Sequence, residues 1–117
     1  VKDSINLGLD RRGDGRVIHH GDVLVRGSSR TFQRGSSRDF TEDGARLIVP
    51  EPVQPGHSLM VHLKLEARRA LSLLATVVWA KPAESGTEVG VRFQEGCRAD
   101  RRRLNHWLHN RRLLAFA

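Results

Sequence analysis

The chain has 117 residues, a hydrophobic fraction of 38%, a formal net charge of +7 and a sequence pI near 11.2. That length fits one domain with one modest core. No apolar run is long enough for a membrane helix, and the lone Cys97 excludes an internal disulfide, which fits a reducing, cytoplasmic setting.

Residues 1–20 read as an extended linker, with Gly8, Gly13 and Gly15, the adjacent His19 and His20, and no sustained periodicity. No signal-peptide pattern opens the chain. Its first residue is Val1, so a piece of a longer protein or a trimmed chain is expected. From Gly21 to residue 96 the pattern is that of short strands. Asp22–Val25 is β-prone. An internal echo follows: Arg26-Gly27-Ser28-Ser29-Arg30-Thr31-Phe32 and Arg34-Gly35-Ser36-Ser37-Arg38-Asp39-Phe40. It predicts two polar strands, or a strand and a loop, of one hairpin. Ala45–Val49 is a strand ended by Pro50, and Pro55-Gly56 is a turn. Leu59, Val61, Leu63 and Leu65 alternate with Met60, His62 and Lys64, so the first set faces a core. The run Leu71–Trp79 is continuous enough to predict burial on both faces. After a turn at Ala83–Gly86, Val89, Val91 and Phe93 point inward. Residues 97–117 predict a helix capped by Asp100, with Leu104, Trp107 and Leu108 on one face and an apolar tail through Phe116. Many short strands with regular turns make a small barrel or sandwich, and the helix is expected over one opening or edge.

The charge favours an anionic partner. Only Lys2, Lys64 and Lys81 are lysines; the rest of the twenty basic residues are arginines, whose planar forks grip phosphates and stack on rings. Two polar clusters carry the chemistry. The first is Arg11-Arg12-Gly13-Asp14-Gly15-Arg16; the second is Asp39-Phe40-Thr41-Glu42-Asp43-Gly44. By composition alone they read as a solvated basic linker and a polar turn. Arg26/Arg30 and Arg34/Arg38 repeat the arginine spacing, but only Arg12/Arg16 precede the first strand with a full hairpin before Asp39.

On these residues the chain resembles the PilZ domain, a bacterial receptor module for cyclic di-GMP. Its pattern is R-x-x-x-R in a leader followed by [D/N]-x-S-x-x-G on the barrel. Arg12 and Arg16 match the first half, with Arg11 as a doubled arginine. Asp39, Thr41 and Gly44 match the second, Thr41 standing where Ser is usual. Gly44–Leu47, Ala75–Trp79 and Val89–Phe93 resemble the family's core strands. The resemblance implies a six-stranded antiparallel split β-barrel with a C-terminal α-helix. It implies that Arg11, Arg12, Arg16, Asp39, Thr41 and Gly44 bind cyclic di-GMP, the carboxylate accepting from guanine nitrogens, the hydroxyl adding a contact and Gly44 supplying a backbone conformation denied to other residues. An arginine fork can bond guanine O6 and N7, stack on the base or hold a phosphate. Trp79 is a further candidate contact or, alternatively, a core or rim residue. Closure of the leader on the ligand would signal to a protein effector or an attached domain.

No cofactor beyond that ligand is expected. No Walker-type loop, H-E-x-x-H or G-x-S-x-G appears, so no enzyme is expected. His106 and His109 lack a third ligand for a metal, and His19-His20 is at most a rim contact. Two alternatives stay open: a barrel of the same type that recognises proteins without nucleotide affinity, and a basic barrel for nucleic acid. The second suffers from having no Tyr and only four Phe as stacking platforms.

Overall fold

The computed structural model describes residues 16–27, 31–66, 69–94 and 98–114. Six antiparallel strands, β1 (Val17–Arg26), β2 (Gln33–Phe40), β3 (Gly44–Val49), β4 (Ser58–Glu66), β5 (Arg69–Ala83) and β6 (Gly86–Phe93), precede one helix, α1 (Arg98–Leu114). The strands close into a barrel in the order β1-β2-β3-β6-β5-β4. Period-two alternation builds its interior: Leu59, Val61 and Leu63 from β4 and Val89, Val91 and Phe93 from β6 are all buried. Tight turns join the staves. Gly56 and Gly86 have φ of 95° and 147°, values a side chain disfavours.

Several expectations shift. Strand β1 begins at Val17, inside the segment read as linker over residues 1–20, and pairs with the end of β2 at Phe40. The second copy of the echo lies on strand β2, whereas the first begins on Arg26, the last residue of β1, and ends before β2. β5 is buried on one face only: Leu71, Leu73, Ala75 and Val77 point inward while Leu74 and Val78 are exposed. A closed barrel has one interior, and these two stand on its outer wall. Asp100 lies in the first turn of α1 and does not cap it. Its carboxylate accepts from the Ser72 amide of β5 and from the Arg103 guanidinium.

Leu104, Trp107 and Leu108 of α1 belong to the same buried cluster as the barrel interior. Trp107 meets Phe40 edge-on at 6.0 Å and His19 at 5.2 Å. The helix therefore stoppers the barrel end where β1 starts and β2 finishes. His19, expected at most as a rim contact, is part of this packing.

Candidate functional site

Three local irregularities turn side chains toward one outer patch. β1 and β2 slip register between Ile18 and Gly21, β2 and β3 between Ser37 and Asp39, and β5 and β6 between Val77 and Trp79. A bulge adds a residue to one stave and re-aims its neighbours. Ser37 and Phe40 are both buried, and Asp39 between them lies at the floor of an outer cleft, itself covered. The hydroxyl of Ser37 staples the first irregularity: it donates to the His19 carbonyl at 2.7 Å and accepts from the Gly21 amide at 3.1 Å. His19 Nδ1 lies 3.0 Å from the same oxygen, the direction of that bond following the ring's tautomer.

The pairing then aligns Ile18, Asp39, Arg46, Gly90 and Trp79 in one row across five staves. Asp39, second in that row beside Arg46, is only 1% exposed. Its Oδ1 accepts from Arg16 at 3.3 Å, and its Oδ2 accepts from Arg46 Nε at 2.8 Å and Nη2 at 2.5 Å. Two guanidinium groups cover one carboxylate, which is how a buried charge is sustained outside water. The hydrogen bonds to Asp39, with its negative charge, raise the pKa of Arg46 despite partial burial. On its other side Arg46 lies 3.6 Å from Glu88, which Lys81 approaches at 3.9 Å.

A cleft of about 260 Å³ opens beside this group, lined among others by Arg16, Asp39, Thr41, Gly44, Arg46 and Trp79. The pairing of Arg16 with Asp39 across 23 residues unites the two sequence clusters. Arg11 and Arg12 lie outside the described residues. Thr41 plays a local role: its hydroxyl accepts from the amides of Asp43 and Gly44 at 3.2 and 3.1 Å and closes the turn, a task Ser performs equally. Gly44 differs from expectation too. It has no positive φ. A Cβ there would collide with the Val91 carbonyl of β6, so glycine is needed for close approach of two strands. Trp79 is neither a core residue nor fully exposed. Its indole lies over Gly90, where a Cβ would strike the ring, and its exposure is 37%.

Arg46 and Arg92, which also lines the cleft, are site residues that sequence reasoning missed, for both sat in stretches read as core strand. A signal existed for Arg46. A hairpin folded about Thr41–Gly44 pairs Phe40 with Ala45 and hence Asp39 with Arg46, an opposite-charge cross-strand pair.

The sequence profile of the PilZ domain matches residues 10–110. The chain belongs to the PilZ domain family. No curated protein sequence matches it. Among solved PilZ-like structures, the inhibitor of motility MotI/DgrA of Bacillus subtilis superposes with a TM-score of 0.71 at 20% identity, covering 90% of this chain and 53% of that one. MrkH of K. pneumonia in its apo state gives 0.64 at 17% identity, covering 86% and 50%. A tetrameric PilZ protein of Xanthomonas campestris, described as self-assembled through a helical bundle, gives 0.56 at 24% identity, covering 74% and 51%. The chain thus spans about half the length of each. These likenesses establish the fold. No helix among the described residues is long and apolar enough to cross a membrane.

His19 supplies a pH dependence next to the PilZ site. Burial first, then the charges of Arg111 and His20, hold its pKa below the ordinary 6.5. The unfolded chain therefore takes up a proton at a pH where the folded chain does not. Stability contributed by neutral His19 is complete above pH 6.5 and declines as the pH falls below it. Urea unfolding from neutral pH down to about pH 5 should show this decline. His19→Gln, which cannot titrate, should have a flatter profile; parallel profiles would exclude His19 as the source.

Proposed function

We propose that this PilZ domain is a cyclic di-GMP receptor whose ligand lies across the Arg16–Asp39 junction. The supporting observation is the meeting of a leader arginine and a buried carboxylate at a cleft bordered by an indole. One carboxylate edge can accept the two adjacent N–H groups of a guanine, and a guanidinium can take its O6 and N7 or a phosphate. The cleft is smaller than the ~300–1,000 Å³ of common ligand pockets. It suits one base edge, with the remaining base and the phosphates held outside it by arginines. Arg46 and Arg16 already use the carboxylate, so a guanine must displace at least one of them. The released fork becomes available to the phosphates, and ligand exchange thereby moves the residue directly ahead of β1. That is a route to a protein effector or an attached domain.

Isothermal calorimetry with cyclic di-GMP tests the reading. Arg16→Ala is expected to remove detectable binding, and Arg12→Ala likewise, with unfolding midpoints near that of the wild type. Wild-type affinity in both variants would overturn the site. A flat titration of folded wild-type protein would instead favour a barrel that recognises proteins alone.

A further inference from the structure

The turn that carries Thr41 and Gly44 also carries Glu42 and Asp43, and both are engaged by the C-terminal helix. Arg101 Nη2 donates to the Glu42 carbonyl at 3.1 Å and lies 3.6 Å from the Asp43 carboxylate, while Nη1 donates to the Gln94 carbonyl at 3.4 Å. Arg112, three turns along the helix, lies 3.4 Å from Oε2 of Glu42. Beneath them the Phe93 amide donates to the Asp43 carbonyl at 2.7 Å. One guanidinium thus joins the end of β6, the turn and α1. We propose that Arg101, with Arg112 behind it, is a positioning residue that fixes this turn from the helix and cancels its acidic charge.

The helix does not depend on these bonds for its own seat. Leu104, Trp107 and Leu108 are buried, and Asp100 accepts from the Ser72 amide. The effect of Arg101 therefore falls on the turn, whose other ties are the Thr41 hydroxyl bonds, the Phe93 amide and the Arg112 pair. Charge gives the clamp a second consequence. Asp43 lines the cleft, and its side chain is 89% exposed. An unneutralised carboxylate there repels an anionic ligand at short range. A lone surface ion pair adds little, but this fork also holds two backbone carbonyls and is itself three-quarters covered, with 23% exposure.

Two measurements test the clamp. The first is amide hydrogen exchange by NMR on ligand-free protein and is independent of any ligand. Arg101→Ala should speed exchange at Asp43 and Gly44 by roughly tenfold, with Val61 and Leu63 of β4 unchanged. The second rests on the cyclic di-GMP reading: the same variant should bind about tenfold more weakly, and adding Asp43→Asn should recover part of the loss. A purely structural role predicts no such rescue. Unchanged exchange at the turn would overturn the proposal. Faster exchange in a protein whose wild type ignores cyclic di-GMP would uphold the clamp and sink the ligand reading. Should Arg101→Ala not fold, Arg101→Gln, which keeps the stem but loses both the charge and the fork, takes its place in both arms.

Discussion

Asp39→Ala is expected to abolish measurable cyclic di-GMP binding while leaving a folded barrel. In the proposed binding mode the carboxylate would supply two charge-assisted bonds to a guanine edge, each contributing roughly 1.5–3 kcal/mol. Even after allowing for competition from Arg16 and Arg46, losing both weakens binding by about a hundredfold or more at 1.4 kcal/mol per decade. The cost in stability is smaller. Removing the anion leaves two cations facing one another, but the Arg16 and Arg46 side chains are 34% and 43% exposed and turn to water. About 1–2 kcal/mol is expected, less than the ~3–5 kcal/mol of a fully buried pair. Asp39→Asn separates the two effects. It preserves shape and one acceptor, so it should restore most of the stability and little of the affinity. Calorimetry and urea unfolding on both variants decide. Equal affinity in wild type and Asp39→Ala would remove Asp39 from the site.

Gly44→Ala should be the most damaging single-methyl change among the described residues of the motif. The added carbon has no free volume: it meets the Val91 carbonyl, a backbone atom that cannot rotate aside. Gly44 pairs with Arg92 and Ala45 with Val91, so relief requires β3 and β6 to part where the cleft forms. Overpacking of this sort costs about 3 kcal/mol, or roughly a 10 °C fall in melting temperature for a domain of this size. Affinity should fall with it, since Thr41 and Arg46 flank the displaced strand. A melting temperature within a degree or two of wild type would mean the strands accommodate the methyl, and the close-approach account of Gly44 would be wrong.

The sequence disclosed this barrel well wherever apolar residues alternated, as in Leu59–Leu63 and Val89–Phe93. It misled at Leu71–Trp79. Leu74 and Val78 are apolar but lie outside, and hydropathy alone does not distinguish a strand covered on both faces from one with exposed leucine and valine. At the site, the pairing of the two polar clusters was legible because a leader arginine and a hairpin carboxylate are recognisable at their spacing. The reasons behind individual residues were not. Gly in a bend suggested a special φ, whereas Gly44 makes room for Val91; that the Thr41 hydroxyl also ties its own turn was not foreseen. Asp100 shows the same limit. An acid ahead of three arginines resembles a cap, yet its partner is the Ser72 amide of β5, a tertiary contact that local pattern does not encode. Arg101 was equally invisible, since its partners lie 58 and 59 residues away (43 and 42 against 101).

Ring closure of the six staves also restricts how another protein can be recognised. Among the described residues every stave pairs with two neighbours, which leaves little free edge onto which a guest strand could add. A binding partner must be chosen through side chains, by the outer wall or by the helical stopper. Selectivity would then reside in surface chemistry that a handful of substitutions can rewrite without disturbing the scaffold.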